Sequence, residues 1–258
     1  MRQTLRDAGF GLVLAVQFLT RLPVRRACPW NARTRRWAAR SYPLVGMLIG
    51  VLAVGITQLA GALLPAPLQA LLLLSLWVAL SGGLHLDGVM DLADALGSNA
   101  PPARRWEILK DSKIGAFAMI ALVFLLAWKG TLIWALSDAG ASLWWLVAIS
   151  GLGRLGAVAL LVEMTSARPE GLAHAWQQSL NRRDLWLAAV VPLVWLVWAD
   201  IALVAWLMLA LALFLALYGL AMRRLFGGIN GDMLGAAIEG GELWLLLVTL
   251  SWWQFVTG

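Results

Sequence analysis

Cysteine and histidine are almost absent from this sequence of 258 residues, which contains one Cys and two His. Cys28 has no second thiol in the chain to pair with, so an intrachain disulfide and a thiolate metal cluster are both excluded. His85 and His174 are too few to supply a histidine-based site. Metal binding and acid–base chemistry would therefore depend on carboxylate and basic side chains.

Charged residues are also scarce, making up 13% of the chain against 61% hydrophobic residues. Several apolar runs reach about 20 residues, the length that crosses a bilayer as a helix. Sixteen tryptophans fit the same class, because Trp concentrates at membrane interfaces. The composition predicts an all-α, polytopic integral membrane protein and excludes an ordinary soluble globule.

The net charge of +6 is weak evidence for nucleic-acid binding, because seven arginines lie in one segment, residues 21–40. A basic segment beside a membrane span is first of all a topology signal. We therefore expect the lipid bilayer as a partner, and no nucleic acid.

The apolar segments predict about seven membrane-embedded helices in a single domain, residues 1–258. They cover residues 43–64, 68–84, 114–136, 141–162, 185–199, 201–222 and 243–256, with a hinge near Asp200 between the fifth and the sixth. Residues 5–20 are shorter and more charged, which predicts an interfacial or re-entrant helix.

Basic residues crowd into alternate polar segments of the chain. The segments 21–40, 87–113, 163–184 and 223–242 carry Lys and Arg, whereas the turns at 65–67, 137–140 and 200 carry none. The positive-inside rule places the basic segments in the cytoplasm. Every motif described below would then face the cytoplasm.

The most informative stretch is Ser81 to Asp94, which holds three aspartates within eight residues. Asp87, Asp91 and Asp94 stand at i, i+4 and i+7, so a helix would point all three into an arc of roughly 60°. Carboxylates that repel one another in this way suit a hard cation such as Mg²⁺, which keeps open positions for substrate phosphates. The alternative is a solvated acidic helix cap.

Three further features carry polar groups. Glu107, Lys110 and Asp111 stand at i, i+3 and i+4, which predicts a shared helical face that holds phosphate, or simply an amphipathic juxtamembrane helix. The glycine-rich stretch 227–242 predicts an anion-binding nest, or close helix packing. Arg154 lies inside a predicted span, where a charge indicates a functional site that reaches a phosphate above the spans, or a buried ion pair.

These stretches resemble the cobalamin-5′-phosphate synthase family, also called adenosylcobinamide-GDP ribazoletransferases. The matching pieces are TRLP at 20–23, YPLVGMLIG at 42–50, GGLHLDGVMDLAD at 82–94, EILKDSKIG at 107–115, GR at 153–154, EGL at 170–172 and GGINGDMLGAAIEGGE at 227–242. Ser81, Ala95 and Asn230 replace the Thr, Gly and Thr that are common in the family. Asn230 puts in doubt any role that needs a hydroxyl group.

The resemblance implies an inner-membrane enzyme that joins α-ribazole, or its 5′-phosphate, to adenosylcobinamide-GDP with Mg²⁺ and releases GMP. The implied metal ligands are Asp87, Asp91, Asp94, Asp232 and Glu239. The implied catalytic residues are Lys110 and Arg154, which hold phosphate, and Asp94 or Asp111, one of which is the general base. The implied substrate-binding residues are Arg21, His85, Glu107, Gly228, Asn230, Gly231 and Glu242.

Two other functions fit parts of the pattern. A CDP-alcohol phosphotransferase-like lipid enzyme has a similar aspartate spacing, but its Ala-Arg element and more distant aspartate pair are missing here. A transporter would place its ionisable groups near the membrane midplane and often shows repeated halves, whereas this sequence has no internal repeat. A homo-oligomer, and contacts with other late cobalamin-assembly enzymes, are left open as partners.

Overall fold

The structure is a computed structural model that describes residues 2–196 and 201–257, and these residues form eleven α-helices. In chain order the helices are α1 (Arg2–Leu19), α2 (Ala32–Ala60), α3 (Ala66–Ser81), α4 (Leu84–Gly97), α5 (Pro102–Ile108), α6 (Ala116–Asp138), α7 (Trp145–Glu163), α8 (Leu172–Gln177), α9 (Arg182–Trp195), α10 (Ile201–Phe226) and α11 (Gly231–Thr257). The described residues contain no strand, only one isolated β-bridge. The predicted all-α class is confirmed.

Five of these helices, α2, α6, α7, α10 and α11, are long and apolar enough to cross a membrane. α3 and α4 together would make a sixth span, but the chain bends by 89° between them. The protein is thus a multi-pass membrane protein with five or six candidate spans in the described part of the chain, against about seven predicted embedded helices. The predicted span 185–199 ends in residues that are not described, and the expected hinge near Asp200 also lies outside the described residues.

The last polar segment, 223–242, is helical from residue 231 onward. α11 begins at Gly231, so Glu239 and Glu242 lie well inside this helix. The predicted apolar segment 243–256 starts too late in the sequence, because hydropathy counts both glutamates as solvated charges. Both are buried in the structure, where cations on neighbouring helices pair with them.

The centre of the bundle is α7, which is buried along almost its whole length. α2 packs against it through Gly46 and Gly50, one turn apart. A Cβ atom on Gly46 would lie 2.4 Å from the Ser150 carbonyl oxygen, and one on Gly50 would lie 2.7 Å from the Val147 Cα. Glycines spaced in this way let two membrane helices approach closely, so that van der Waals packing holds them together.

Replacing Gly50 by Ala should therefore destabilise the bundle, because the added methyl group has to push α2 away from α7. Gly55→Ala is the matched control on the same helix, since a Cβ there meets no atom within 4 Å. We expect Gly50→Ala to lower the thermal unfolding midpoint in detergent, and Gly55→Ala to leave it unchanged or raise it. Equal midpoints for the two variants would show that this helix contact is not tight.

Candidate active site

The aspartate motif forms α4, as predicted, and two glycines set the direction of this helix. Gly82 and Gly83 adopt left-handed φ values of 68° and 69°, which only Gly adopts without strain. The 89° bend that results turns α4 away from the axis of α3. Arg21, in the segment between α1 and α2, packs its side chain on Gly82. Its backbone N–H donates to the Leu80 carbonyl at 2.9 Å. The predicted substrate residue Arg21 thus lies at the foot of the aspartate helix.

All three aspartates of α4 line one cavity of about 260 Å³, which we call the aspartate cavity. The other wall is the segment 109–114 that follows α5. The lining residues are Asp87, Met90, Asp91, Asp94, Leu109, Lys110, Asp111, Ser112, Lys113, Ile114 and Ala118. The cavity therefore combines carboxylates on one side with two ammonium groups on the other. Lys113 was not predicted, although it stands in the same matching stretch as Lys110.

Asp232, in the first turn of α11, adds a further carboxylate beside the aspartate cavity. It interacts electrostatically with Asp87 and Asp91. The two helices meet at Gly88, where a Cβ would lie 2.3 Å from the Asp232 carbonyl oxygen. Any larger residue at position 88 would separate Asp232 from the α4 aspartates. The close crossing of α4 and α11 is what brings these carboxylates together.

The donor chemistry of this group fits a hard divalent cation. Among the described residues, no three His, Cys, Asp or Glu side chains converge into a ready-made metal cage. Mg²⁺ is usually held by one or two carboxylates, with water and substrate phosphates completing its octahedron. Asp87, Asp91 and Asp232, brought together at one helix crossing, have the oxygen donors for such an open site.

Asp94 also performs a structural task. Its two carboxylate oxygens accept hydrogen bonds from the backbone N–H groups of Gly115 at 2.6 Å and Ala118 at 2.8 Å. These are N–H groups at the start of α6, so Asp94 caps that helix from α4. A carboxylate has about four lone-pair positions, and two are occupied here. Its predicted roles as metal ligand and general base stay predictions.

The residues predicted to share a face after Pro102 are separated in the structure. α5 ends at Ile108, so Lys110 and Asp111 lie in the following turn and line the cavity. Glu107 stays on α5, where it pairs with Arg104 in an exposed salt bridge. The shared helical face was a wrong prediction, because the short helix ends before it reaches Lys110. Glu107 has the exposed position expected of a residue on an amphipathic helix. Lys110 lines the cavity, which is the position that the phosphate-binding alternative requires.

Two glycines of the glycine-rich stretch differ in their surroundings, and the anion-binding nest stays a prediction. Gly228 lies beside the β-bridge that joins Ser166 to Ile229, and a Cβ atom on it would lie 2.5 Å from the Thr165 carbonyl oxygen. Gly228 therefore serves close packing. A Cβ atom on Gly231 would have no neighbour within 4 Å. It therefore leaves open space at the start of α11.

Asn230 caps α11. Its side-chain oxygen accepts from the Met233 N–H at 3.0 Å, and its amide donates to Asp232 at 2.8 Å. Asn and Thr are both good N-cap residues, so a helix cap accounts for either residue at this position. The amide bond to Asp232 also fixes that carboxylate beside the aspartate cavity.

Four other predicted residues lie apart from the cavity, inside the bundle. Arg154 is fully buried and donates to Glu242, which is the ion-pair alternative, while its contact with a phosphate stays a prediction. Lys129 donates to Glu239 at 2.5 Å and to Glu242 at 2.6 Å. His85 Nδ1 lies 3.9 Å from Glu239 and 3.5 Å from Arg154. We call His85, Lys129, Arg154, Glu239 and Glu242 the buried charge cluster.

Comparison with known proteins decides the family. The profile of the cobalamin-5-phosphate synthase family matches residues 11–250. The chain belongs to this family. The resemblance seen in the sequence is thereby confirmed, and it extends over nearly all of the chain.

Three relatives, each named adenosylcobinamide-GDP ribazoletransferase, match over almost their whole length. That of Halalkalibacterium halodurans is 34% identical and covers 96% of this chain and 97% of its own. That of Geobacillus kaustophilus is 37% identical, covering 94% and 98%. That of Ectopseudomonas mendocina is 42% identical, covering 91% and 96%. No solved structure matches the chain.

Proposed function

We propose that the aspartate cavity binds the diphosphate of adenosylcobinamide-GDP together with Mg²⁺, and that phosphoryl transfer takes place there. The activity is that of the family: the chain is an adenosylcobinamide-GDP ribazoletransferase of cobalamin biosynthesis. The observation that supports this location is one cavity in which the α4 aspartates face Lys110 and Lys113, with Asp232 of α11 interacting with Asp87 and Asp91 beside it. Carboxylates for a cation and ammonium groups for phosphate oxygens face the same space.

The proposed step is an attack by a hydroxyl oxygen of α-ribazole, or of its 5′-phosphate, on the cobinamide-bearing phosphorus. A new P–O bond forms, the bond to the bridging oxygen breaks, and GMP leaves with that oxygen. A bound Mg²⁺ supplies neutralisation of the charge on the diphosphate. Lys110 and Lys113 hold phosphate oxygens as point charges. Asp111 or Asp94 accepts the hydroxyl proton.

The reaction can be tested with the purified chain in detergent. Supplied with adenosylcobinamide-GDP and either form of ribazole, it should release GMP only when ribazole and Mg²⁺ are both present. The form with the larger kcat/KM is the acceptor of this enzyme. Release of GDP or inorganic phosphate in place of GMP would mean that a different bond breaks, and would contradict the proposed step.

We further propose that the aspartate cavity faces the cytoplasm across a bacterial inner membrane. The basic segment before α2 contacts the junction of α3 and α4 through Arg21, and the segments that follow α7 and precede α11 are joined by the bridge between Ser166 and Ile229. The turns that follow α2 and α6 carry no Lys or Arg. The positive-inside rule supports this orientation.

Thiol labelling should report the orientation directly. Burial raises the pKa of the Cys28 thiol, and Cys28→Ser removes this residue from the background altogether. Single cysteines at Ser98 and Gln178 should resist an impermeant maleimide in intact cells and react after lysis. Cysteines at Ala66 and Ala139 should react in intact cells. The reverse pattern would place the cavity outside the cytoplasm.

A further inference from the structure

The buried charge cluster joins four helices inside the bundle. His85 comes from α4, Lys129 from α6, Arg154 from α7, and Glu239 and Glu242 from α11. All five residues are at most 6% exposed, and Arg154 and Glu242 are fully buried. No substrate can reach the two buried cations without parting the helices.

The cluster is balanced in charge and closely paired. Glu242 accepts from both Lys129 and Arg154, while Glu239 accepts from Lys129. Arg154 also donates to the Ser150 hydroxyl at 2.9 Å. Two cations thus meet two carboxylates, and with a neutral His85 the sum is zero. Removal of one partner from such a group leaves an uncompensated charge in a low-dielectric interior, which is strongly unfavourable.

The same helices carry both the cluster and the aspartate cavity. His85 precedes Asp87 by two residues on α4, and Glu239 follows Asp232 by two turns, about 10 Å, on α11. Asp94 caps α6, the helix that carries Lys129. If α11 slid or rotated against α4, the ion pairs would break. The same movement would shift Asp232 relative to the α4 aspartates.

We propose that Lys129, Glu239, Glu242 and Arg154 are positioning residues, which hold α4, α6, α7 and α11 in the register that the aspartate cavity requires. They act through the helices and touch neither metal nor substrate. This assigns Lys129 a role and gives Glu239, Glu242 and Arg154 a role different from metal binding or phosphate binding. The inference rests on the proposed function of the cavity and names what keeps its geometry.

A charge-paired double variant tests the proposal. Lys129→Met should lower kcat at least about tenfold, the factor that 1.4 kcal/mol of lost transition-state stabilisation gives. Lys129→Met combined with Glu239→Gln removes one cation and one anion, so charge balance returns. The double variant should recover kcat to within a few-fold of the unmodified chain, with unchanged Mg²⁺ dependence. Lys129→Arg should retain most of the activity.

The matched control is the exposed pair of Arg182 and Glu163, which lies on the surface. Arg182→Met should change neither kcat nor KM. If Lys129→Met does not fold, the folded double variant and Lys129→Arg decide the matter. A double variant that stays as slow as the single one would overturn the proposal. A double variant that needs much more Mg²⁺ would also overturn it, because Glu239 would then be a metal ligand. An unmodified chain that releases no GMP would instead contradict the proposed function.

Discussion

Asp91→Asn should reduce kcat by two or more orders of magnitude, with little change in stability. Asn keeps the shape of the side chain but removes a charged oxygen donor from the centre of the α4 triplet. The charge on the diphosphate is then less well neutralised, and each tenfold loss in rate corresponds to about 1.4 kcal/mol. Steady-state kinetics of GMP release measures the effect.

The Mg²⁺ dependence separates a ligand from a base. If Asp91 binds the ion, Asp91→Asn needs more Mg²⁺ for its half-maximal rate, whereas the amide variant of a general base is slow at every concentration. Asp138→Asn is the control, because Asp138 is exposed at the end of α6, which is proposed to lie across the membrane from the cavity. Turnover of Asp91→Asn at the unmodified rate would make the triplet a solvated helix cap.

Glu242→Ala should destabilise the protein by about 3–5 kcal/mol, the largest stability effect that we expect from a single change. The substitution leaves Lys129 and Arg154 with only Glu239 to neutralise them. One buried positive charge then has no counter-ion, which is the costly way to break a buried ion pair. Reversible unfolding in mixed detergent micelles, or the thermal midpoint, measures the loss.

Two comparisons make this result specific. Glu107→Ala removes an exposed carboxylate and should change stability by no more than about 0.5 kcal/mol. Glu242→Gln together with Lys129→Met restores charge balance and should recover much of the stability. A Glu242→Ala variant as stable as Glu107→Ala would show that the buried cluster does not hold the bundle together.

The aspartate motif shows how much the sequence predicts. Its spacing predicts a helix with three carboxylates on one face, and α4 places all of them in one cavity. Local spacing sufficed here because each inference concerns residues within one or two helical turns, where geometry is fixed. Gly88 lies against the Asp232 backbone, a contact between two helices that the aspartate spacing does not predict.

The pairing between helices could not be predicted in the same way. Lys129 and Glu239 are 110 residues apart, and nothing in either local pattern identifies the partner. Hydropathy treats each as a polar interruption, so the apolar segment within α11 was predicted too short. The intramembrane positions of Lys129 and Arg154 were the available signal, since such charges need a counter-ion, but they do not identify it.

Metal-directed cleavage of the chain tests the location of the site most directly. With Fe²⁺ in place of Mg²⁺, and with ascorbate and peroxide, hydroxyl radicals cut the backbone close to the bound ion, and mass spectrometry of the fragments maps the cuts. The cavity predicts cuts within residues 87–94, 109–115 and 230–232, strengthened by adenosylcobinamide-GDP and lost in Asp91→Asn. Cuts that cluster elsewhere in the bundle, with these three segments intact, would contradict the account.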